Sequence, residues 1–470
     1  MKRPSDEVEG IGQLVELQGL KSRPELNGQR GVVIGEKVAA TGRVAVAISG
    51  GEGILLKLEN LRVVAFEQER PAMRRIDVAI VGAGLSGLAS AMALVKAGRQ
   101  VIVLDARTQV GGRTLSHLGV DMGASWAWPP HEARATALAA KLGIKLLPQR
   151  LDGNAFAFHQ GSMRSVGGMG EQMAPCGGGA VRFRGGYANL AAAAANSLPA
   201  GTIRLEMAVT KVEALVAADA AGEQGLVRVT CSNQADNNAT TEIIARRVVM
   251  ALPPGVMSRS ISMSPALPAE QQKKQAKTLT WCGDWAKVAA HFTSPFWRAA
   301  GHSGVVATSG PIQVWWEGGG GEELGEESYA LVGLGVGEDT RELASFERAK
   351  AAHTEGSAAH DADDEAGSND EAGLRELVIR ALSPAFGDVV AEQLSHVSSK
   401  AWIADELTYN GMGTHRDYGH PLLRQPTPWG VHFAGTETEA ANGHVEGAIA
   451  AGERAAEEVL AALRSREQHG

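Results

Sequence analysis

The feature that most constrains the fold of this chain is a glycine turn that joins a short apolar run to a helix pattern. Residues 76–81 form an apolar run short enough for a buried parallel strand. Gly82, Gly84 and Gly87 follow with the spacing G-x-G-x-x-G. The first glycine permits a tight turn, the second lets a pyrophosphate approach the backbone, and the third lets the helix pack on the strand. A helix over residues 84–97 would direct its N-terminal N–H groups at the phosphates.

An acidic residue completes this unit. Residues 101–104 predict the second strand, and Asp105 ends it, 18 residues after Gly87. A carboxylate in that place can accept hydrogen bonds from the ribose of an adenosine group. Because strand, helix, second strand and acid occur in order, the stretch predicts a dinucleotide-binding domain; a glycine turn used only for packing is the alternative. The predicted binding set also includes the neighbouring residues Leu85, Ser86, Ala106 and Arg107.

A second glycine turn follows, in the sequence Gly111-Gly112-Arg113. Gly112 allows close approach of the backbone, and the guanidinium of Arg113 can bind phosphate oxygens in a fork. A surface arginine in a turn is the other interpretation. The two turns together favour FAD over NAD as the ligand.

Composition excludes several classes of protein. A chain of 470 residues allows two or three domains, and its net charge of −8 argues against nucleic-acid binding through a basic surface. Cys176, Cys231 and Cys282 form no C-x-x-C pair, and the C-terminal histidines lack ligand spacing, so neither a disulfide framework nor a metal site is expected. The sequence shows no run of 18 apolar residues and no secretory signal, so we expect no membrane span and a cytoplasmic protein.

Other segments flank or interrupt the main pattern. Residues 11–66 predict a small all-β module with short strands separated by glycine turns, between a disordered stretch, 1–10, and a linker, 67–75. Residues 350–373 are acidic and of low complexity, so we expect a disordered insertion, with an interaction tail as the alternative. Apolar spacing predicts further helices at 132–142, 187–198, 374–382 and 447–463.

Several separated patches together resemble the flavin monoamine oxidase family, within the wider flavin-containing amine oxidoreductases. The patches occur in the family's order and cover about residues 75–463. Beyond the opening unit they are Gly111–Arg113, Asp121–Trp126, Arg182–Tyr187 with Ile203–Val212, Val248–Pro254, Ala286–Val288 leading to Pro295–Trp297, and Val431–Thr438 with Gly443–Ala448. The N-terminal module separately resembles small SH3-like β-barrels, through the sequence Ser22–Gly28.

The resemblance implies an α/β fold with a discontinuous FAD-binding domain of the glutathione-reductase type. Its segments would be 75–147, 190–282 and 401–465, and an interleaved α+β substrate domain would take 148–189 and 283–400. The small barrel would precede both domains and could recruit a protein partner.

The resemblance also assigns cofactor contacts. Residues 123–126 would pass the edge of the flavin ring, and the backbone of Val209 would hold the adenine. Glu437 is acidic near phosphates, which requires that it accept from hydroxyls or orient a basic side chain. The full set implied by the family is Gly123, Ala124, Ser125, Trp126, Val209, Pro253, Trp402, Gly435, Thr436, Glu437 and Val445.

Lys287 is the catalytic candidate. Strand alternation places it opposite Ala286 and Val288. In the family this lysine reaches flavin N5 through a water and assists the reaction with dioxygen; a solvated strand lysine is the alternative. The implied activity is an FAD-dependent oxidase of amines or amino acids. Hydride passes from the substrate α C–H to flavin N5, the imine is hydrolysed, and dioxygen reoxidises the flavin to give hydrogen peroxide.

Two departures from the family pattern bear on cofactor and substrate. Met412 stands at or beside the cysteine that attaches FAD in eukaryotic monoamine oxidases, so we expect non-covalent FAD. Gly413 and Asn442 look like the positions of the two tyrosines that sandwich the amine, so that aromatic cage is missing. The predicted substrate pocket is Trp126, Trp315, Tyr409, Gly413 and Asn442, with Trp316, Tyr187 and Trp402 as further pocket aromatics or, more simply, core residues.

Two other functions stay open at this point. One is an FAD-dependent desaturase or dehydrogenase of the same superfamily, acting on a C–C bond. The other is a non-catalytic flavin-binding protein whose N-terminal module recruits a partner.

Overall fold

The computed structural model describes residues 14–33, 43–48, 53–63, 76–159, 162–215, 225–236, 238–320, 329–346, 365–413, 417–440 and 443–467. The strands are β1 Leu14–Leu17, β2 Arg30–Val33, β3 Arg43–Ile48, β4 Gly53–Lys57, β5 Leu61–Val63, β6 Ile76–Val81, β7 Val101–Leu104, β8 Ser116–His117, β9 Val120–Asp121, β10 Leu146–Pro148, β11 Asn154–His159, β12 Ser162–Val166, β13 Val181–Phe183, β14 Ile203–Arg204, β15 Met207–Leu215, β16 Leu226–Asn233, β17 Ala239–Met250, β18 Ser262–Ser264, β19 Trp285–Phe292, β20 His302–Ala307, β21 Val314–Gly320, β22 Tyr329–Val336, β23 Leu394–Ala401 and β24 Val431–Phe433. The helices are α1 Leu85–Lys96, α2 Ala133–Lys141, α3 Gly170–Met173, α4 Gly186–Asn196, α5 Pro254–Ser260, α6 Ala269–Lys277, α7 Phe296–Ala299, α8 Glu365–Phe386, α9 Val389–Gln393, α10 Pro421–Arg424 and α11 Val445–Glu467. Single 3₁₀ turns occur at Pro24–Leu26, Leu58–Asn60, Gln234–Asp236, Gly337–Asp339, Trp402–Ala404 and Thr436–Thr438.

The predicted strand–turn–helix–strand unit is confirmed. The apolar run is β6, the glycine turn leads into α1, and the second apolar run is β7, which pairs in parallel with β6. The sheet continues in the order β14-β7-β6-β17-β16-β15-β18, with β24 also paired in parallel to β17. Parallel strands with helices on the sheet place the chain in the α/β class, as the sequence indicated.

The packing of α1 against α11 brings two helices unusually close at one glycine. Both helices contribute to one buried cluster that includes Leu88, Leu94, Ile449 and Val459. A Cβ atom added at Gly452 of α11 would lie 2.1 Å from the carbonyl oxygen of Ser86 in α1. The absence of a side chain at this position therefore sets the distance between the two helices.

A second sheet has the order β12-β11-β20-β21-β22-β19-β23. Its central strands are antiparallel, and the register pairs Lys287 of β19 with Leu334 of β22 and with Lys400 of β23. Helix α8 and the large rings of Trp297 and Trp315 fill the core on one face of this sheet.

The chain passes several times between the two large sheets. Strands within residues 76–104, 203–264 and 431–433 belong to the first sheet, and strands within 154–166, 285–336 and 394–401 belong to the second. We propose the same division into an FAD-binding and a substrate domain that the sequence suggested, since each sheet carries its own buried cluster.

The N-terminal segment forms a separate antiparallel sheet in the order β4-β3-β2-β1-β5. The strands of this sheet share a small apolar core, whose buried residues include Val15, Leu17, Val44, Val46 and Leu61. Among the described residues β4 and β5 are the two edges of this sheet. An SH3-like barrel and a partner for it stay predictions, and the stretches 1–10 and 67–75 lie outside the described residues.

The acidic segment differs in part from the expectation. Residues 350–364 lie outside the described residues, but α8 begins at Glu365 rather than at 374, so the prediction of disorder is wrong for residues 365–373. Alanine and glutamate are good helix formers, and acidic residues in a first turn favour the helix dipole. The buried residues Leu377 and Val378 anchor the helix, which then extends toward its N-terminus through the acidic residues.

Helices α8 and α11 are the longest of those described, with 22 and 23 residues. Both carry charged residues along their length. Within the part of the chain that the structure describes, no helix is both long and apolar enough to cross a membrane.

We expect the substitution Gly452→Ala to destabilise the protein. Helix propensity alone would favour alanine by about 0.5–1 kcal/mol, but the added methyl must displace the Ser86 carbonyl, and overpacking costs about 1–3 kcal/mol. Chemical denaturation of Gly452→Ala should therefore show a lower free energy of unfolding. Gly167→Ala is the matched control, because a Cβ there lies 3.9 Å from its nearest neighbour, Asn154. A Gly452→Ala protein more stable than wild type would contradict the close approach.

Candidate cofactor and substrate site

A cavity of about 510 Å³ opens at the carboxyl ends of β6, β7, β17 and β24. Ligands of α/β proteins gather at this edge of the sheet. The far wall comes from the second sheet, through Lys287 and Trp285 of β19 and Trp316 of β21.

The glycine turn forms one end of the cavity. Gly82 has a φ of +104°, and a Cβ there would lie 2.5 Å from the carbonyl oxygen of Ala251. Gly82 and Gly84 both line the cavity. Gly87 does not, because it faces back toward the turn: a Cβ there would lie 1.9 Å from the Gly82 carbonyl oxygen. The third glycine therefore serves helix packing, and its assignment as a cofactor contact is corrected.

Asp105 binds backbone N–H groups in and beside the glycine turn. Its carboxylate accepts a hydrogen bond of 2.6 Å from the N–H of Ala83 and one of 2.8 Å from the N–H of Arg107. Burial raises the pKa of this carboxyl above its ordinary value. The guanidinium of Arg107 pairs with Asp405 at 2.7 Å. Burial opposes ionisation of Asp405, but hydrogen bonds and charge from Arg107 hold its pKa at about 2.

Arg113 lines the cavity with a buried acid behind it. Its Nη1 lies 2.8 Å from Oε1 of Glu437 and also donates to the carbonyl oxygen of Trp281 at 3.0 Å. The Glu437 side chain is fully buried and does not line the cavity. Its other oxygen, Oε2, has no hydrogen-bond partner among the described residues. Glu437 therefore orients a basic side chain, which is one of the two roles expected from the sequence for an acid near phosphates.

Lys287 reaches the cavity from the middle of β19 and is only 6% exposed. Its ammonium donates to the carbonyl oxygen of Gly123 at 2.6 Å and to the hydroxyl of Ser125. It also lies 5.7 Å from the centre of the Trp126 ring and 5.5 Å from that of Trp316. Burial lowers the pKa of Lys287 to about 8, despite the charge of Asp121 nearby.

Asp121 is the acid that faces Lys287 from within the protein. Burial raises its pKa to about 6, while the hydroxyl of Ser116, 2.6 Å from Oδ1, and the charge of Lys287 favour the ionised form. The same oxygen accepts from the N–H of Tyr187 at 2.9 Å. The two groups form a buried, partly compensated pair at the cavity wall.

Aromatic rings line much of the cavity, from positions that differ from those expected. The ring centroids of Trp126 and Trp316 are 4.8 Å apart, and those of Trp126 and Trp128 are 6.5 Å apart. The aromatic lining residues are Trp126, Trp128, Trp281, Trp285, Trp316, Trp402 and His444. Trp128, Trp281, Trp285 and His444 were not expected in the site, although Trp128 follows the patch Asp121–Trp126 and His444 lies in the patch Gly443–Ala448.

Three predicted pocket residues, Trp315, Tyr409 and Gly413, do not fit the expectation, and a fourth, Asn442, is not tested. Trp315 is buried in the core and Trp316 lines the cavity in its place, because successive strand residues face opposite sides. Tyr409 lies in a separate depression beside Arg259. Gly413 does not line the cavity, and its N–H donates to Asp284 at 2.7 Å. Asn442 lies outside the described residues.

Most of the other predicted residues come together. Tyr187 is an exception that belongs to the core, where its hydroxyl donates to the carbonyl oxygen of Trp126 at 3.0 Å. The predicted residues that line the cavity are Gly82, Gly84, Leu85, Ser86, Asp105, Ala106, Arg107, Gly112, Arg113, Gly123, Ala124, Ser125, Trp126, Val209, Pro253, Lys287, Trp402, Gly435, Thr436 and Val445. No group of three metal-binding side chains is placed to hold an ion in the described parts of the chain.

Comparison with known families decides what this cavity belongs to. The sequence model of the family "Flavin containing amine oxidoreductase" matches residues 171–460, more than half of the chain. The chain belongs to this family. The model of the "NAD(P)-binding Rossmann-like domain" matches residues 80–142, the stretch that holds α1 and β7. The protein is thus a flavin-containing oxidoreductase of the amine oxidase type, and the resemblance stated from the sequence patches is confirmed.

Individual relatives are distant but cover most of the chain. The flavin-containing amine oxidase B of Homo sapiens is 24% identical over 484 residues, covering 83% of this chain and 87% of the human one. That of Cavia porcellus is 26% identical over 495 residues, with the same shares covered. Among solved structures, cyclohexylamine oxidase from Brevibacterium oxydans has a TM-score of 0.62 at 20% identity, covering 83% of this chain and all of that one. Putrescine oxidase has a TM-score of 0.61 at 22% identity, covering 83% and 99%.

The residues of the cavity fit a flavin dinucleotide. The glycine turn leaves open backbone at the N-terminus of α1, where a pyrophosphate binds in α/β folds. Arg113 lines the cavity, and the buried carboxylate of Glu437 fixes the direction of its guanidinium. Val445, the first residue of α11, also lines the cavity, so a second helix N-terminus faces it.

Lys287 should make stability depend on pH in a defined window. Its pKa of about 8 in the folded chain lies below the ordinary 10.5, so the unfolded chain binds the extra proton between these values. Burial of the lysine therefore costs stability below pH 8, and this cost falls as the pH rises toward 10.5. We expect wild type to gain free energy of unfolding relative to Lys287→Met between pH 8 and pH 10. A constant difference between the two proteins across that range would refute the lowered pKa.

Proposed function

We propose that this protein is an FAD-dependent oxidase of amines. The observation that carries the proposal is a single cavity lined by the glycine turn, by Arg113, and by a buried lysine among indole rings. A bound flavin would supply the redox chemistry by taking hydride from the substrate carbon next to nitrogen, while the protein binds and orients the substrate and excludes water. The imine product would then be hydrolysed, and dioxygen would take up the two electrons with two protons to give hydrogen peroxide.

The chain's own residues divide the work along the cavity. Gly82, Gly84 and Arg113 would hold the pyrophosphate, and Asp105 and Val209 would lie toward the adenosine. Gly123 to Trp126, Pro253, Trp402 and the N–H of Val445 would surround the flavin ring. Gly435 and Thr436 would close the middle, where the N–H of Gly435 already donates to the hydroxyl of Ser86 at 3.0 Å.

Lys287 would serve the reaction with dioxygen. Near neutral pH its ammonium is mostly protonated, because its pKa is about 8. A fixed positive charge in a water-poor site stabilises negative charge that develops on a reacting molecule beside it. Hydrogen bonds to Gly123 and Ser125 hold the ammonium in place, so little reorganisation is needed.

The charges around the cavity favour simple amines over amino acids and diamines. An amino acid needs a cation for its carboxylate, but Arg107 is already paired with Asp405, and Arg113 would be occupied by the pyrophosphate. A diamine needs an anion for its second ammonium. Among the described lining residues the only carboxylate is Asp105, which accepts from two backbone N–H groups. The indole rings instead offer apolar surface and a face for one cation.

The test is to mix the purified flavoprotein with amines, amino acids and compounds with an oxidisable C–C bond in the absence of oxygen, and to follow the flavin absorbance. We expect bleaching by amines with an apolar body, and recovery with peroxide when air is admitted. Bleaching only by a substrate with an oxidisable C–C bond, without peroxide, would favour the desaturase or dehydrogenase. Bound flavin that no substrate bleaches would favour the non-catalytic function.

The same experiment tests the role of Lys287. The variant Lys287→Met should still bind flavin and bleach, but its recovery in air should be slower by about tenfold or more, as expected for loss of a fixed charge at the reacting centre. Lys277→Met, an exposed lysine at the end of α6, is the control that should recover at the wild-type rate. Equal recovery in all three proteins would remove Lys287 from the oxygen reaction.

We expect FAD to be held without a covalent bond. Cys282 lines the cavity, a position that the sequence did not indicate, but burial raises the pKa of its thiol to about 12. The thiol therefore stays protonated at neutral pH and is a poor nucleophile. Acid precipitation should release all yellow colour from wild type and from Cys282→Ser alike. Flavin retained in the wild-type pellet and released from the variant would show a bond to Cys282.

A further inference from the structure

His444 occupies the cavity wall between two indole rings. Its ring stacks on Trp128, with centroids 5.7 Å apart and planes at 25°, and meets Trp281 edge to face at 5.6 Å. Its Nδ1 lies 2.7 Å from Oε1 of Glu132, a side chain only 2% exposed. The second carboxylate oxygen accepts from the N–H of Trp128 at 3.2 Å. The imidazole is therefore fixed in both position and rotation by residues of the cavity wall.

Chemistry decides which ring nitrogen carries the proton. A carboxylate only accepts hydrogen bonds, so Nδ1 of His444 must donate to Glu132. A neutral imidazole then has its lone pair on Nε2. Since Nδ1 is engaged by Glu132 and His444 lines the cavity, Nε2 is the ring nitrogen left for a ligand.

A substrate amine brings a proton that has to be removed. Aliphatic amines are ammonium ions near neutral pH, whereas loss of hydride from carbon requires the nitrogen lone pair of the neutral amine. Entry between indole rings removes water from the ammonium, and this loss of solvation favours the neutral form. The cavity thus needs a proton acceptor within reach of the amine.

We propose that His444, held by Glu132, accepts the proton of the substrate ammonium in the cavity. The proposal rests on the oxidase function proposed above. The N–H bond of the ammonium breaks, its electron pair stays on the amine nitrogen, and the proton binds Nε2. The imidazolium formed keeps its Nδ1–H bond to Glu132, whose negative charge stabilises it. Glu132 is a positioning residue, since it acts only through His444.

The other charged groups near this pair are already compensated. Glu446, two residues beyond His444, accepts from the N–H groups of Arg134 and Ala135 and pairs with the Arg134 guanidinium at 3.3 Å. Glu437 lies behind Trp281 and pairs with Arg113. Lys287 lies 5.7 Å from the centre of the Trp126 ring and is bound to Gly123 and Ser125 as a donor.

The test follows bleaching of the flavoprotein without oxygen by an amine that bleaches the wild type. The quantity compared is the rate constant of bleaching divided by the dissociation constant of the amine. Benzylamine is the first choice, because it is largely the neutral amine at about pH 10. For His444→Gln we expect a loss of at least about tenfold at pH 7, consistent with removal of a proton acceptor. At pH 10 the loss should shrink to within about twofold, because the amine arrives neutral. Titration of Lys287 affects both proteins and cancels in the ratio.

Two further variants separate proton transfer from packing. Glu132→Gln still accepts from Nδ1 but carries no charge, so it should show a smaller loss with the same disappearance at pH 10. It also serves as the test if His444→Gln does not fold. His432→Gln is the matched control: His432 pairs with Glu458 at 3.1 Å, is buried, and does not line the cavity. His432→Gln should show the same bleaching rate constant divided by dissociation constant as the wild type at both pH values.

The outcomes distinguish the two proposals. If amines bleach the wild type but His444→Gln shows no loss, or an equal loss at pH 7 and pH 10, the role of His444 is overturned and the oxidase function stands. A wild type that no amine bleaches would overturn the oxidase function, and the role of His444 with it.

Discussion

The constraint on which this structure depends is the contact of backbone with backbone at the glycine turn. The Cα of Gly87 lies against the carbonyl oxygen of Gly82, and Gly452 lies against that of Ser86, with no room for a methyl group at either place. These contacts hold α1 on the end of β6 and α11 on α1. Because both helices begin at the cavity, their N–H groups converge on the same space.

The electrostatics of the cavity follow one arrangement repeated four times. Each basic group on its wall is held from behind by a buried or nearly buried acid: Arg107 by Asp405, Arg113 by Glu437, Lys287 near Asp121, and His444 by Glu132. An acid in that place fixes the direction of its partner and offsets part of the cost of burying the charge. The cavity therefore presents oriented polar groups to a ligand while carrying little net charge itself.

The sequence predicted the parts of this site that local spacing determines. The glycine turn and the strand around Lys287 are local patterns, and both formed as expected. The aromatic wall was not predictable in the same way. Trp315 and Trp316 are adjacent, and only the direction in which β21 packs decides which one faces the cavity. Glu132 and His444 are 312 residues apart, so their contact depends on the tertiary fold.

The position of the aromatic residues changes what the site can select. Two facing phenol rings would hold an amine by its shape and polarity, with no group able to take a proton near neutral pH. Here the rings are indoles, which accept a cation on their faces, and one member of the wall is an imidazole tied to a buried carboxylate. Such a wall attracts the charged form of the amine and contains the group that can neutralise it. Binding and activation of the substrate would then occur on the same surface, with Lys287 left free to act on dioxygen.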